Sequence, residues 1–322
     1  MVSMKVRGRF APTPSGRLHL GNARTALLAW SQTRYQRGVF VLRVEDVDPV
    51  RCRPEYEREQ LADLRWLGID WDEGPDVGGS FGPYRQSERG ALYAEAVAQL
   101  DTFPCSCTRR ELRASGGGPY PGTCFEGPTH PRRPLALRWL PGPVITRFED
   151  ACAGVVEEDI EATVGGCIVR RTDGVWSYQL AVAVDDLRME MTHILRGADL
   201  LDSTARQLAI MDALAPAQGA PLTTLARPMY AHVPVIHGDD GLKLSKRHGA
   251  PDLTTLREGG ADPTRVVALL GRSMGMLTSD VRRARPEDLL GAFDLEGAAR
   301  APSTLDPKLI EEFRDLLPPV RT

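Results

Sequence analysis

Two lysines three residues apart give the clearest indication of chemistry in this chain. Of its 40 lysines and arginines only four are lysines, and two of these, Lys243 and Lys246, lie in the loop of residues 241–247. Lysine carries a compact charge on a flexible stem, whereas the arginine guanidinium is a planar fork. A loop that keeps lysine in such a chain indicates a mobile ammonium near a polyphosphate. Retention by chance on a solvated loop is the alternative.

A second candidate phosphate site lies near the N-terminus. The apolar-leaning run of residues 6–11 predicts a buried strand that two prolines end, and a helix is predicted to begin at the Gly21-Asn22 turn. Such a turn presents backbone N–H groups and the positive end of the helix dipole to an anion. Gly21 allows a flat ligand to approach the backbone, and His19 can donate to a phosphate oxygen. A lone histidine in a turn is more often a surface residue, but its combination with the lysine loop favours a nucleotide site.

Cysteines cluster in the middle of the chain, at Cys105, Cys107 and Cys124. In a cytosolic protein such clusters favour metal binding over disulfides, and two thiolates separated by one residue can both reach one tetrahedral Zn²⁺. His130 is available by composition as a fourth ligand, and reduced cysteines in a loop are the alternative. The remaining three cysteines, Cys52, Cys152 and Cys167, are interpreted as ordinary buried thiols.

Length and composition predict a soluble, cytosolic protein of about two domains with a substantial core. The chain has 322 residues, of which 42% are hydrophobic, and its formal net charge is −3. It contains no run of 18 apolar residues and no hydrophobic leader at its N-terminus, so no membrane partner is expected. With this charge, an RNA-binding face would have to be a local arginine patch. The candidates, each otherwise a solvated surface, are Arg109-Arg110, Arg132-Arg133 and residues 282–285.

The alternation of strand and helix signals predicts an α/β fold built on a doubly wound parallel sheet. Asp262-Pro263 and Asp306-Pro307 are each interpreted as a helix N-cap followed by proline at the first position. The predicted division is residues 1–100 for the first half of the sheet domain, 101–190 for a mixed, mostly β insertion that holds the cysteines, 191–255 for the second half with the lysine loop, and 256–322 for a short C-terminal helical part.

The two candidate phosphate sites together resemble the signature motifs of class I aminoacyl-tRNA synthetases. The HIGH motif corresponds to residues 19–22, where Asn22 stands in place of the last histidine, and the KMSKS motif corresponds to residues 243–247. Residues 9–16, RFAPTPSG, are similar to the bacterial glutamyl branch. Further matching segments are LRVEDVD at residues 42–48, YQLA at 178–181 and LRGADL at 195–200. The resemblance covers about residues 7–250 and implies a Rossmann-like catalytic domain.

The resemblance implies ATP with Mg²⁺ and L-glutamate as substrates. Arg9 is expected to form a bidentate ion pair with the side-chain carboxylate of glutamate, and Glu45 to bind the glutamate ammonium. Each of these charged residues alone is more often part of a surface ion pair. The implied catalytic residues are His19, Lys243 and Lys246; the implied ATP-binding residues are Pro12, His19, Gly21, Asn22 and Lys246; the implied glutamate-binding residues are Arg9, Phe10, Ala11, Pro12, Thr13, Glu45, Tyr178 and Arg196.

Two features resemble the glutamyl-Q tRNA(Asp) synthetase group. Its Cys-x-Cys…Tyr-x-x-x-Cys set is matched by Cys105, Cys107, Tyr120 and Cys124, which implies one structural zinc with Tyr120 as a ligand. Only 75 residues follow Arg247, too few for the further anticodon-reading domain of full glutamyl-tRNA synthetases. This group activates glutamate without tRNA and esterifies it onto the cyclopentenediol of queuosine in the anticodon loop of tRNA(Asp).

Two other functions remain open at the level of sequence. One is a truncated glutamyl-tRNA synthetase that charges a tRNA 3′ end, and the other is a non-enzymatic paralogue that binds RNA or a nucleotide. The shortened chain disfavours the first, and the presence of Arg9, Glu45, His19 and Lys246 disfavours the second. The sequence does not indicate an oligomeric state.

Overall fold

The computed structural model describes residues 5–215, 227–237, 250–300, 302–304 and 306–317. The strands are β1 (Arg7–Phe10), β2 (Val39–Leu42), β3 (Thr102–Cys105), β4 (Ala136–Trp139), β5 (Ile145–Asp150), β6 (Gly154–Asp159), β7 (Cys167–Arg170), β8 (His193–Gly197) and β9 (Met229–Val233). The helices are α1 (Leu20–Tyr35), α2 (Pro54–Trp66), α3 (Gly90–Val97), α4 (Arg109–Ala114), α5 (Ile160–Thr163), α6 (Tyr178–Arg188), α7 (Leu201–Leu214), α8 (Leu253–Glu258), α9 (Pro263–Ser273), α10 (Leu295–Ala299) and α11 (Pro307–Arg314). Short 3-10 helices span Gln86–Glu88, Ala198–Leu200 and Pro286–Ala292.

A six-stranded sheet in the order β2-β1-β8-β9-β5-β6 forms the centre of the fold. Parallel pairs join β1 to β2, β1 to β8, β8 to β9 and β9 to β5, and only β6 is antiparallel to its neighbour. The predicted α/β fold is therefore confirmed. Because the parallel strands run in one direction, the residues that follow β1, β2, β8 and β9 meet at one edge of the sheet.

Both faces of this sheet are covered by helices. On β2, Phe40 and Leu42 pack into a core shared with α1 and the C-terminal helices, whereas Val41 between them packs into a second core with α3, α6 and α7. This alternation follows from the two-residue repeat of a strand. Helix α1 is buried almost all round, since eleven of its 16 residues are buried, so it is fixed between the sheet and the C-terminal helices.

The stretch predicted as one insertion, residues 101–190, is divided between two sheets. Strands β3, β4 and β7 form a separate antiparallel sheet in that order, whereas β5 and β6 extend the central sheet beside β9. Helix α6, at the end of this stretch, packs against α3 and α7 in the second core. Short strands carry no sequence signal for the sheet that they join, because pairing depends on tertiary contacts. The proposed domain boundaries stay a prediction.

The C-terminal helices pack beside the first half of the sheet. Helices α9 and α11 begin where the sequence predicts, with Asp262 and Asp306 as N-caps followed by proline. Helix α8 is tied to α2 because Thr254 and Arg257 both donate to the buried carboxylate of Asp63, at 2.7 and 2.8 Å. Among the described residues, no helix is long and apolar enough to cross a membrane.

Candidate functional site

A cavity of about 760 Å³ opens at the edge of the central sheet where the parallel strands end. This volume lies in the range typical of pockets for small molecules and cofactors. The cavity is lined by every described residue for which the sequence predicts an ATP or glutamate contact, namely Arg9, Phe10, Ala11, Pro12, Thr13, His19, Gly21, Asn22, Glu45, Tyr178 and Arg196. Lys243 and Lys246 lie outside the described residues.

His19 is held at the N-terminus of α1 by a reciprocal pair of hydrogen bonds. Its Nδ1 accepts from the Asn22 backbone N–H at 3.2 Å, and Asn22 Oδ1 accepts from the His19 backbone N–H at 3.1 Å. In the neutral ring the proton therefore lies on Nε2, the nitrogen that can donate to a ligand. A side chain at Gly21 would come within 2.9 Å of the imidazole and displace it. Asn22, the departure from the HIGH pattern, thus acts as a cap for the helix.

The loop between β1 and α1 is fixed by Gln60, which sequence reasoning missed. This buried residue of α2 donates through Nε2 to the carbonyl oxygens of Thr13 and Gly16, at 3.1 and 2.7 Å. The backbone N–H of Arg53 also donates to the Pro14 carbonyl at 2.9 Å. These bonds fix the backbone of the loop, and Gln60 itself lines the cavity beside it.

The Arg9 guanidinium faces a buried carboxylate of α6. Its Nε and Nη2 donate to the two oxygens of Asp186 at 2.6 and 2.7 Å. The sequence predicts a bidentate ion pair between Arg9 and a ligand carboxylate. In this structure Arg9 forms that bidentate pair with Asp186, because a buried cation requires a countercharge. Burial opposes ionisation of Asp186, but Arg43 and Arg9 hold the pKa of this carboxyl at about 2. Arg9 still lines the cavity, with Nη1 as the nitrogen that Asp186 does not engage.

Arg43 extends this network from Asp186 to Glu45. Its Nη1 donates to Asp186 Oδ1 at 2.6 Å and its Nη2 donates to Glu45 Oε1 at 2.9 Å. Burial raises the pKa of Glu45, while Arg43 and Arg9 oppose that rise. Among the described residues only Arg43 hydrogen-bonds to this carboxylate side chain, so a ligand ammonium can complete its pairing. Glu45 lines the cavity, as a cation site requires.

Arg196, near the end of β8, is oriented by neighbours on two other elements. Its Nε donates to His232 Nε2 at 3.0 Å, and its Nη2 donates to Thr204 Oγ1 and Gln207 Oε1, each at 2.8 Å. Because arginine is only a donor, His232 Nε2 is the acceptor, and its Nδ1–H donates to Asp150 at 2.6 Å. Arg196 Nη1 is buried and has no hydrogen-bond partner among the described residues. A buried donor of this kind indicates a place for an anionic ligand group.

Tyr178 is the first residue of α6 and lines the cavity with its neighbour Ser177, which caps the helix. Burial, followed by the nearby charge of Glu45, raises the pKa of the Tyr178 hydroxyl to about 12. This hydroxyl is therefore protonated at neutral pH and can donate a hydrogen bond to a ligand carboxylate.

Three thiols and one phenol converge in the segment of residues 105–135, here called the cysteine knuckle. The sulfur atoms of Cys105, Cys107 and Cys124 lie within 4.8 Å of one another, with 3.6 Å between the last two. The Tyr120 hydroxyl lies 3.4 Å from Cys105 Sγ and 3.7 Å from Cys107 Sγ. Sulfurs about 2.3 Å from a tetrahedral zinc lie roughly 3.8 Å apart, so the donor set fits one such ion.

Of the two candidates for a fourth ligand, Tyr120 lies beside the thiols and His130 does not. The His130 side chain is 51% exposed, and its Nε2 lies 4.0 Å from a carboxylate oxygen of Glu111. Two further contacts hold Tyr120 in place. The guanidinium of Arg138 lies 4.1 Å from the centroid of its ring, and its backbone N–H donates to the Val164 carbonyl at 3.0 Å. The phenol would have to lose its proton to bind a metal.

Asp186 and His232 were also missed by sequence reasoning, although each leaves a signal. Asp185-Asp186 follows the apolar run of residues 180–184 on α6, which places two carboxylates on a buried helix. His232 lies inside the apolar strand β9. Charged or titratable residues within apolar elements indicate buried networks, but the partners that they meet are not visible in sequence.

Comparison with known proteins relates the chain to one family. Residues 5–117 and 137–311 match the family described as tRNA synthetases class I (E and Q), catalytic domain. The match omits residues 118–136, the part of the cysteine knuckle that carries Tyr120 and Cys124. The matched residues include the whole of the cavity lining.

Individual relatives are similar over most of the chain. It is 46% identical over 316 residues to a glutamyl-Q tRNA(Asp) synthetase of Symbiobacterium thermophilum, with 92% of this chain and 94% of that protein covered. It is 39% identical to glutamate–tRNA ligase 2 of Nitrosococcus oceani, with 98% of this chain and 68% of that protein covered. A crystal structure of glutamate–tRNA synthetase from Elizabethkingia anophelis has a TM-score of 0.79 and 26% identity, with 96% of this chain and 70% of that chain covered.

Asp186→Asn should destabilise the fold far more than loss of an exposed carboxylate. We expect the free energy of unfolding to fall by about 3–5 kcal/mol, because an amide leaves two buried guanidinium groups without a full countercharge. The control Asp212→Asn removes a more exposed partner of Arg227 and should cost about 1 kcal/mol or less. Urea unfolding of both variants measures the difference, and equal losses would contradict the role of Asp186.

The same carboxylate predicts a pH dependence of stability. The folded pKa of Asp186 is about 2, below the value of about 4 for an unfolded aspartate. Its stabilising contribution is therefore complete above pH 4 and is lost as the pH falls from about 4 to about 2. In that window the difference between the unfolding free energies of wild type and Asp186→Asn should shrink.

Proposed function

The chain belongs to the class I tRNA synthetases of the E and Q type, and we propose that it is a glutamyl-Q tRNA(Asp) synthetase. In this function ATP activates L-glutamate, which is then transferred to queuosine in the anticodon loop of tRNA(Asp). The observation that carries glutamate activation is the convergence of eleven predicted ATP and glutamate residues on one cavity, and the acceptor rests on the similarity to glutamyl-Q tRNA(Asp) synthetases. Such a ligase would act in the cytosol, where its tRNA substrate is found.

In the activation step, a carboxylate oxygen of glutamate attacks the α-phosphorus of ATP. A bond forms between them, the bond to the β-phosphate oxygen breaks, and pyrophosphate leaves, giving glutamyl-adenylate. The protein takes little part in the covalent changes, so positioning and electrostatic stabilisation are its main contributions to catalysis. The N-terminus of α1, with His19 Nε2 as a donor, supports the phosphates of ATP–Mg²⁺. On the motif resemblance, Lys243 and Lys246 neutralise the departing pyrophosphate.

The buried charges divide the recognition of glutamate between two sides of the cavity. Glu45 binds the substrate ammonium, because its carboxylate faces the cavity with one buried guanidinium partner. Arg9 Nη1, Arg196 Nη1 and the Tyr178 hydroxyl are donors for the side-chain carboxylate. Since the two guanidinium groups can only donate, the carboxamide NH₂ of glutamine would face them without an acceptor, which favours glutamate.

In the transfer step, a hydroxyl of the queuosine cyclopentenediol attacks the carbonyl carbon of the adenylate. An ester bond forms, AMP leaves, and the hydroxyl proton is released. The 46% identity to a glutamyl-Q tRNA(Asp) synthetase over 94% of its length supports this acceptor. The amino-acid chemistry is common to both groups, and the acceptor distinguishes them.

We further propose that the cysteine knuckle holds one zinc ion, bound by Cys105, Cys107, Tyr120 and Cys124. The ion would be structural, since four protein ligands leave no open position for chemistry. The environments of two of the thiols differ, since burial raises the pKa of Cys107 to about 11 whereas Cys124 is favoured as a thiolate. Burial raises the pKa of Cys124, but hydrogen bonds from Tyr120 and from the backbone of Thr129 and Ser106 outweigh it and hold this pKa at about 5.

The acceptor is tested by glutamate transfer to tRNA(Asp) with and without queuosine. We expect labelled glutamate to become attached only to the queuosine-containing tRNA, because the unmodified anticodon loop offers no cyclopentenediol. A queuosine-containing tRNA(Asp) that lacks its 3′-terminal adenosine should remain a full substrate. Transfer to unmodified tRNA(Glu), or dependence on the 3′ adenosine, would instead identify a charging enzyme.

His232→Ala tests the orientation of Arg196. We expect the KM for glutamate in ATP–pyrophosphate exchange to rise about 10-fold or more, the usual effect of losing a hydrogen bond to a charged group. The KM for ATP should change less than about 2-fold. His232→Gln should restore part of the loss, because its amide oxygen can accept from Arg196 Nε. The matched control His193→Ala, at the opposite end of β8, should leave both constants unchanged; equal effects of the two alanine variants would show that His232 is merely structural.

The metal proposal predicts about one zinc per chain in protein purified without chelator. Cys124→Ala should reduce the zinc content to below about half, because a tetrahedral site loses one of its four ligands. The control Cys152→Ala removes a partly buried thiol outside the cluster and should retain the metal. Elemental analysis by mass spectrometry measures the content. Metal-free wild-type protein would remove the proposal.

A further inference from the structure

The exposed arginines of the cysteine knuckle lie together although they are separated in sequence. Arg109 and Arg110 begin α4, and Arg133 Nη1 donates to Glu111 Oε1 on the same helix at 2.8 Å. This bond holds Arg133 against the first turn of α4, and Arg132 is its neighbour in the chain. Two of the three arginine patches noted in the sequence therefore form one surface, here called the arginine face.

The arginine face carries excess positive charge on a protein of net negative charge. The cysteine knuckle contains five arginines and two glutamates, a net charge of +3, whereas the whole chain carries −3. All five arginines are exposed, and four of them form no ion pair with a carboxylate of the described residues. These four are Arg109, Arg110, Arg113 and Arg132. Concentrated, unpaired guanidinium groups of this kind favour a polyanionic partner.

An exposed aromatic ring in the same knuckle favours RNA over other polyanions. The Phe125 side chain is 45% exposed, and its ring rests edge-on against Phe103 at a centroid distance of 5.0 Å. A supported and exposed ring can stack on an unpaired base, as proteins that bind single-stranded RNA loops do. The guanidinium groups of the neighbouring arginines can form bidentate hydrogen bonds with phosphates of the same RNA strand.

Strand β7 connects the knuckle to the cavity. Gly165 and Gly166, just before β7, pack so closely on Tyr120 that a Cβ on either would come within 3.1 Å of it, and Arg171, just after β7, lines the cavity. Arg171 also forms an ion pair with Asp48 across the cavity lining at 2.7 Å. The five residue steps from Gly166 to Arg171 span at most about 17 Å of extended chain, so a short strand joins the knuckle to the cavity.

We propose that the arginine face binds phosphates of the tRNA near the nucleotide that accepts glutamate in the cavity. The proposal rests on the proposed function for the identity of the RNA. It also defines a role for the knuckle. Metal binding holds α4 and the segment that carries Arg132 and Arg133 together, so that arginines distant in sequence present one surface. Part of this surface belongs to residues 118–136, which the family match omits.

The test compares two double variants that remove the same charge. Arg109→Ala/Arg110→Ala acts on the arginine face, and alanine in α4 preserves helix propensity. The control Arg282→Ala/Arg283→Ala removes two arginines that are also exposed but already paired, with Glu312 and Asp262, at 3.3 and 3.5 Å. Binding of queuosine-containing tRNA(Asp) is measured by fluorescence anisotropy at several salt concentrations, together with ATP–pyrophosphate exchange and zinc content.

For the first double variant we expect about 10-fold weaker tRNA binding and a salt dependence shallower by about 1.4–1.8 in log–log slope, as for two lost phosphate contacts. Pyrophosphate exchange and zinc content should stay at the wild-type level, since neither involves the arginine face. The control should bind tRNA as wild type does. Unchanged binding by the first variant, or equal weakening of both variants, would overturn the proposal.

The two proposals can fail separately. If wild-type protein binds tRNA(Asp) but transfers no glutamate to queuosine, the acceptor assignment is wrong, and the difference between the two double variants still decides the arginine face. If transfer occurs and both double variants bind like wild type, the function stands and the arginine face is not its RNA contact.

Discussion

The carboxylate of Asp186 is the interaction on which the candidate site depends. It lies on α6 between the guanidinium groups of Arg9 and Arg43, and none of its surface is exposed. A buried cation without a countercharge would cost several kcal/mol, so this one carboxylate allows two arginines to stand at the ends of β1 and β2. Through Arg43 the same network fixes Glu45. One α-helix thereby positions residues of both charges at the cavity.

A second buried network, drawn from a different part of the chain, fixes another part of the cavity lining. Asp150 at the end of β5 sets the tautomer of His232 on β9, which in turn accepts from Arg196 on β8. Burial lowers the pKa of His232, which keeps its ring neutral and its Nε2 an acceptor. The addition of β5 to the central sheet is therefore what supplies Asp150 to the site. Neither network requires a ligand to hold it in place, so the cavity is preorganised.

The cysteine knuckle is coupled to this cavity through a short strand. Tyr120 contacts the glycines before β7, and Arg171 after β7 pairs with Asp48 at the cavity. A family whose members share one amino-acid pocket can change its acceptor by changing the surfaces that surround the pocket, since function is decided at sites rather than by the fold. We propose the knuckle and its arginine face as such a surface, and they lie partly in the stretch that the family match omits.

The sequence by itself determined the fold class, eleven residues of the cavity lining and the cysteine set, because motif residues in β1, α1 and β8 lie close to the turns and strand ends that position them. The capping aspartates Asp262 and Asp306 were visible for the same reason. Only the tertiary structure decided that Arg9 pairs with Asp186, 177 residues away, and that β5 joins the central sheet. It also placed Tyr120 rather than His130 beside the thiols. Such pairings follow from burial, which forces each charge or donor to find a partner among groups that sequence distance does not reveal.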